Sequence, residues 1–286
     1  RKIMTTMCAK NIFNVAIEGS FDDCQKMVKD MFNENEFRER INMSGVNSIN
    51  WARIIAQSVY YFYAFFKVGN GQPLSFSVPT GNFGDIYAGY LAKKLGLPID
   101  KLIVATNKND ILHRAISGGD YSQKKVEETN TPSMDIQIAS NFERLIYDLN
   151  NHSDEKTIEA MESIKEKGKY AISKENLDKI NIDFLSSSMD ENETLKTIKI
   201  IYEKFNIVLD PHSAIGYGAF DKVNLKGNNI VLATAHPCKF PNAIEKALDL
   251  KAELPNELAF ILDEKENYDI IENNLVKIKQ HIKERI

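Results

Sequence analysis

Apolar and polar positions change period several times along this chain, and each change marks an element. Residues 12–17, IFNVAI, are a short apolar run that predicts a strand. EGSFDDCQKMVKDMF follows with helical spacing. Ser20 suits an N-cap, with Asp22 and Asp23 in the first turn, where the helix dipole favours acid. Strand, turn and helix make half of a parallel crossover unit. Residues 48–68 predict a long helix capped by Asn47 or Ser48. Trp51, Ile55, Val59, Phe62 and Phe66 recur at helical spacing, and apolar residues flank them nearly all round, so burial is expected. LSFSV, Leu74 to Val78, predicts a strand that runs into the glycine-rich turn VPTGNFGD. A helix follows from about Asp85 to Leu95, and GLP at 96–98 stops it. KLIVAT (101–106) predicts another strand and NKNDILHRAI another helix. This alternation argues for a parallel α/β sheet with helices on both faces.

From about 120 to 205 the texture shifts to charged, helix-period segments: NFERLIYDL, EKTIEAMESIKEKG and ENETLKTIKIIYEKF. They read as a helical elaboration on the sheet. Sheet character returns with NIVLDPHSAIGYGAF, a short strand and a helix started by Asp210–Pro211. NIVLATAHPCKF predicts a strand over 230–234 that ends in a polar loop, and helices finish the chain.

Composition narrows the class. A chain of 286 residues makes one large domain or two smaller ones. Net charge is −4 with the two signs mixed, so no nucleic-acid footprint is visible. Cys8, Cys24 and Cys238 lie far apart and form neither a metal-ligand pair nor a disulfide framework, which points to a reducing, cytoplasmic setting. The most apolar stretch, Ile54–Val68, is too short for a membrane span and contains Gln57 and Ser58. The chain opens at Arg1, not Met, and reads as one that begins partway through a longer protein.

Four places could carry chemistry. In an open α/β sheet, ligands bind beyond the carboxyl ends of the strands. The turn Gly81, Asn82, Phe83, Gly84 falls there. Its backbone N–H groups and the start of the next helix suit a phosphate. The two glycines would permit close approach and positive φ, and Asn82 would add a donor. The turn lacks the lysine of a P-loop and the spacing of a dinucleotide fingerprint, and an ordinary tight turn is the alternative. In LATAHPCKF, Thr234 sits where a strand meets a loop, with His236 and Lys239 just beyond. A plain surface loop competes with that reading. Asn47, Ser48 and Asn50 crowd a helix N-terminus, where anions bind but where simple capping also explains them. Asp210–Pro211–His212 reads as a helix start, and His113 as a satisfied residue within a helix.

Taken together, VPTGNFGD, NSINWARI, SNFERL, DPHSA and TAHPCKF, with MTT and EGSFDDCQ upstream, resemble the threonine synthase family in its longer bacterial and fungal form. The resemblance covers essentially the whole chain. It implies a fold type II (tryptophan synthase β-like) α/β enzyme that uses pyridoxal 5′-phosphate (PLP) to convert O-phospho-L-homoserine and water to L-threonine and phosphate. Carried over, Gly81, Asn82, Phe83 and Gly84 cradle the PLP phosphate, and Thr234 bonds the pyridine nitrogen. Asn47, Ser48, Asn50, Lys239 and Arg144 are the substrate candidates, with a surface salt bridge as the alternative for Arg144. Residues 1–43 would be the remainder of a small α/β domain. Residues 44–286 would be the large PLP-phosphate domain, including the helical 120–205 region. The family's Schiff-base lysine lies in a motif resembling T-L-A-F-K-D, and nothing in this sequence matches it. The chain alone is therefore expected to be inactive, and the full-length protein to be a cytoplasmic monomer. Another fold type II enzyme, or a non-catalytic remnant that binds a phosphorylated metabolite or a protein partner, are the rival readings.

Overall fold

The computed structural model describes residues 1–7 and 9–286, the side chains of Phe21, Asp22 and Gln25 excepted. Cys8 and the expected first-turn role of Asp22 therefore lie outside the described residues. The N-terminal stretch forms α1 (Lys2–Thr5), β1 (Val15–Glu18), α2 (Phe21–Asn33) and α3 (Asn35–Arg40). The central stretch begins with α4 (Trp51–Val68), β2 (Leu74–Pro79), α5 (Gly84–Lys94), β3 (Ile99–Thr106) and α6 (Ile111–Gly118). It continues through β4 (Asp120–Ser122), α7 (Phe142–Leu149), α8 (Asp154–Lys167), β5 (Lys169–Ala171), α9 (Lys174–Asp183) and β6 (Phe184–Ser188). It ends with α10 (Glu191–Phe205), α11 (Pro211–Val223), β7 (Asn229–Val231) and α12 (Pro241–Leu248), after which come β8 (Asp269–Glu272) and α13 (Leu275–Lys283).

The chain divides into two compact units, Val46–Ala252 and a second one made of Arg1–Gly45 with Glu253–Ile286. The expected boundary near residue 44 falls within two residues of the first of these cuts. The expected large domain does not run to residue 286, because β8 is the parallel partner of β1, from Val15 opposite Asp269 to Glu18 opposite Glu272. Met27, Met31, Phe37 and Ile278 form the core of that smaller unit. Its α2 starts in a capping box, in which the Ser20 hydroxyl takes the Asp23 N–H and the Asp23 carboxylate takes the Ser20 N–H.

The larger unit holds a four-stranded sheet in the order β6-β3-β2-β7, and every pair in it is parallel. Alternate residues of β2 serve opposite faces. Phe76 and Val78 enter the main core with Ile54, Tyr61, Leu102, Val104 and Phe184. On the other face, Ser77 donates to the Gly216 carbonyl of α11 at 2.6 Å. The region 120–205 is not purely helical. It contains the antiparallel pair β4–β5 and contributes β6 to the main sheet. FLSSS carries three serines and shows no apolar alternation, which is why a helical reading absorbed it.

Two expected limits shift. Helix α4 starts at Trp51, with Asn50 as the cap, whose Oδ1 accepts from the Ala52 N–H at 2.9 Å. Asn47 instead closes the turn before it, taking the Ile49 N–H on Oδ1 and the Asn50 N–H on its carbonyl, both at 3.2 Å. Strand β7 stops at Val231, not at 234. The Leu232 N–H still bonds the Ser77 carbonyl at 3.0 Å, but the next donor on β2 would be Pro79, which has no N–H. Helix α4 also departs from the expected burial. Only Ile54, Ser58 and Tyr61 are buried, whereas Ile55, Val59, Tyr63 and Phe66 are exposed. Among the described residues no helix is long and apolar enough to cross a membrane.

Candidate functional site

In a parallel sheet every strand points its carboxyl end to the same edge. The glycine turn follows β2 and the Thr234 loop follows β7, and these two strands are neighbours. The fold therefore brings both loops to one edge of the sheet.

The turn works differently from the glycine-based expectation. Neither Gly81 nor Gly84 has positive φ; Phe83 does, at +66°. A left-handed phenylalanine is costly, by about 1–3 kcal/mol. It is held by complete burial, with its ring 5.1 Å from Phe142 edge-on and 5.9 Å from Phe184. Gly81 is needed for space, since a Cβ there would lie 2.5 Å from the Ser133 carbonyl oxygen. That oxygen belongs to a loop tied down by Asn107, whose Nδ2 donates to Asp135 at 2.7 Å and to Thr131 at 2.9 Å. No side chain caps α5, so the first amides of Gly84, Asp85 and Ile86 face the edge without an intrahelical acceptor. Uncapped amides at the positive end of an 11-residue helix are suited to an anion.

Asn141 joins the other elements to this turn. It is fully buried. Its main-chain N–H and its Nδ2 both donate to the Asn82 carbonyl, at 3.0 and 3.1 Å. The same Nδ2 donates to the Ser48 carbonyl at 2.9 Å. Arg144 completes the clamp. Its Nε donates to Asn141 Oδ1 at 3.0 Å, its Nη2 donates to the Ile49 carbonyl at 2.8 Å, and the guanidinium lies 5.1 Å over the Trp51 ring. Its partners are neutral, so the salt-bridge alternative for Arg144 does not hold. NSINW, SNFER and GNFG thus form one cluster. Asn47 is exposed, Ser48 and Asn50 are half-buried, and the Asn50 side chain is spent on its cap. A groove of about 1040 Å³ opens beside the clamp, lined by Trp51, Tyr87, Ser140, Arg144, Asp148 and Lys165. The glycine turn is not part of its wall.

Thr234 is exposed at the β7 side of the edge. Its main-chain N–H donates to Ser213 Oγ at 3.1 Å. Lys239 is exposed in a short turn, with its ammonium 5.8 Å over the Phe240 ring. The His236 side chain caps that same turn by accepting the Cys238 N–H. His113 is a satisfied residue: its Nδ1 lies 2.9 Å from Ser186 Oγ.

Two carboxyls near the edge are shifted in opposite directions. Burial pushes Asp85 up to about 6, against the bond from the Tyr61 hydroxyl at 3.2 Å. Burial also pushes Asp210 up, but the bonds from His212 and Ser213 outweigh it and hold the carboxyl below its ordinary value. Asn141 and Ser213 were not singled out from the sequence, and Asp210 was read only as a helix start. The signals that could have found them are an Asn just before a helix in SNFER and an acid–serine pair bracketing a helix start in DPHS.

A parallel sheet with an uncapped helix start and a hydroxyl residue beyond adjacent strand ends makes this an α/β protein with a site at the carboxyl edge of its sheet. Comparison with known proteins makes the placement specific. Residues 213–282 match the model of the threonine synthase C-terminal family. Threonine synthases of Pseudomonas aeruginosa and Saccharomyces cerevisiae are 43% and 42% identical over 99% of this chain. The crystal structure of a PLP-bound threonine synthase from Brucella melitensis superposes with a TM-score of 0.95 at 43% identity, over 99% of this chain and 62% of that one. The yeast threonine synthase structure gives 0.90 at 41% identity, over 99% of this chain and 61% of that one. The chain belongs to the threonine synthase family, and it spans about three-fifths of the relatives' length, 61% for both the Pseudomonas and the yeast enzyme.

Proposed function

We propose that this chain supplies the cofactor-phosphate and ring-nitrogen contacts of a PLP-dependent threonine synthase, which converts O-phospho-L-homoserine and water to L-threonine and phosphate. The observation that carries the reading is the convergence of the 81–84 turn and Thr234 on adjacent carboxyl ends of one parallel sheet. The residues present fit the cofactor. Gly81, Asn82, Phe83 and Gly84 offer main-chain amides and an uncapped helix start to its phosphate. Thr234 offers a hydroxyl to its pyridine nitrogen. A neutral hydroxyl does not hold that nitrogen protonated as a carboxylate would, so it favours a moderate electron sink. PLP, when bound, supplies the electron sink that acidifies hydrogens along an amino-acid substrate.

The remaining residues bind and orient. Asn47, Ser48 and Lys239 are the groups best placed to meet a phosphorylated amino acid. Asn50 and Arg144 act on the same segment by capping α4 and by clamping Ile49 and Asn141. Serving substrate in this way, the chain would belong to a cytoplasmic enzyme that is monomeric at full length. No lysine here stands in a context that matches the family's Schiff-base motif, so the 286-residue chain alone is expected to make no threonine.

The test is an absorbance titration of the purified chain with PLP, beside a Gly84→Asp variant. Gly84 lies where a Cβ would come 3.3 Å from Asn141 Nδ2 and Ile54 Cδ1, so an aspartate both crowds the turn and repels a phosphate. Saturable binding that the variant abolishes supports the reading; equal binding by both proteins overturns it. Threonine formed from O-phosphohomoserine by the chain alone would refute the predicted inactivity.

A further inference from the structure

Behind Thr234 stands the start of α11, and its position is tightly defined. A Cβ on Gly216 would lie 3.1 Å from Pro79 and 3.1 Å from Val231, the last residues of β2 and β7. The helix start is thus pinned to the two strands that lead into the glycine turn and into Thr234.

Asp210, at the N-cap of α11, is buried and fully engaged. One carboxylate oxygen accepts the His212 N–H at 2.9 Å and lies 3.1 Å from His212 Nδ1. The other accepts the Ser213 N–H at 3.3 Å and the Ser213 hydroxyl. A serine hydroxyl has one proton, and an ionised carboxylate can only accept. The Ser213 proton is therefore committed to Asp210, and its oxygen is left to accept. What it accepts is the Thr234 N–H, at 3.1 Å. Capping alone needs the Asp210 carboxylate and the two main-chain N–H groups. It makes no use of the Ser213 hydroxyl, which is buried and has no other partner among the described residues.

We propose that Asp210 and Ser213 are positioning residues for Thr234. Asp210 orients the Ser213 hydroxyl, Ser213 anchors the Thr234 main chain, and the Thr234 side chain is thereby held at the sheet edge. The inference rests on the reading of Thr234 as the partner of the cofactor ring nitrogen.

Its test uses the 286-residue chain and two readouts. The first is ligand-free: amide hydrogen exchange of Thr234, measured by NMR, in the native chain and in Ser213→Ala and Ser213→Thr. Exchange is expected to speed up about tenfold in Ser213→Ala, the equivalent of one lost hydrogen bond. Ser213→Thr restores it, and the amides from Gly216 to Val223 stay unchanged in both. The second is PLP affinity by titration, with Thr234→Val added. Ser213→Ala is expected to weaken binding about tenfold, in the same direction as Thr234→Val, with recovery in Ser213→Thr. Unchanged Thr234 exchange in Ser213→Ala overturns the proposal. So does faster exchange with native affinity, if Thr234→Val weakens binding. Native affinity in Thr234→Val, with faster exchange in Ser213→Ala, overturns instead the reading of Thr234 on which the proposal rests.

Discussion

Helices α4 and α11 invert the usual relation between apolar content and burial. α4 is rich in large apolar side chains, yet Trp51, Ile55, Val59, Tyr60, Tyr63 and Phe66 are all exposed. α11 contains Pro, His, Ser, two glycines and an aspartate, yet Pro211 to Gly216, Gly218 and Ala219 are all buried. The reason is the distance of approach. Small residues let the α11 backbone come down onto the sheet, close enough for Ser77 to bond the Gly216 carbonyl. α4 meets its own unit mainly along a stripe of Ile54, Ser58 and Tyr61, one turn apart, with Phe62 and Phe65 partly buried beside it. Tyr60, Tyr63 and Phe66 lie on the exposed side. Apolar content predicts that a residue gains by burial, not that this chain supplies the cover.

The sharpest way to break the comparison is to truncate one aromatic from each face of α4. Tyr61 is fully buried, lies tilted against the Phe76 ring at 4.8 Å and donates to the Asp85 carbonyl at 2.9 Å. Tyr61→Ala is expected to cost about 3–5 kcal/mol, read from the denaturant midpoint. Phe66→Ala, at 78% exposure, is expected to cost under about 0.5 kcal/mol. Similar costs would mean that the outer face is covered in solution.

Asp85, beneath that tyrosine, and Asp210, at the α11 cap, extend the contrast to pH. Asp85 titrates at about 6 in the folded chain, above its unfolded value near 3.9. It therefore adds no penalty below about pH 4, and one that grows as pH rises through about 6, of at most about 3 kcal/mol. Asp210 is shifted down, so its contribution is present above the unfolded value and is lost as pH falls below about 4. Unfolding curves of Asp85→Asn and Asp210→Asn against pH should show this. The first variant gains on the native chain from pH 4 to 7. The second loses to it at neutral pH and converges with it in acid. Parallel curves for both variants would remove the contrast.

A smaller effect tests the close approach of α11. Gly216→Ala places a methyl 3.1 Å from both Pro79 and Val231, tighter than ordinary packing. Since helix propensity favours alanine by about 1 kcal/mol, a net loss of about 1–2 kcal/mol would show that the backbone cannot withdraw. A net gain would show that α11 has room to move.

How much of this was legible in the sequence divides along the same line. β2, the turn and α5 were readable because strand, Gly turn and helix follow one another locally, and the rule that ligands sit at carboxyl ends then put Thr234 on the same edge. The partner of β1 was not readable, because β8 lies some 250 residues away and parallel pairing leaves no local mark. β6 was hidden by its serines. Asn141 and Ser213 were missed for a related reason. Their hydrogen bonds reach Ser48 and Thr234, and only the folded chain makes those residues neighbours. The left-handed Phe83 reverses a local rule that would assign positive φ to the glycines beside it. Burial against Phe142 and Phe184 compensates it, and those rings too come from distant segments.

The outer face of α4 offers the smallest effect on stability and the clearest one on surface behaviour. Val59, Tyr63 and Phe66 follow one another at intervals of four and three residues, so their exposed side chains form one continuous apolar stripe. Stripes of that kind bind apolar probes or other chains. A Tyr63→Ser, Phe66→Ser double variant should unfold within about 0.5 kcal/mol of the native chain, since neither ring is packed in the core. The same variant should bind markedly less of a hydrophobic dye, and should sediment with less association at high concentration. Retained dye binding would place the sticky surface elsewhere, for example on the exposed Phe13 and Ile270 of the smaller unit. A large loss of stability would show instead that these rings find cover in solution, and that α4 is buried after all, as its composition first suggested.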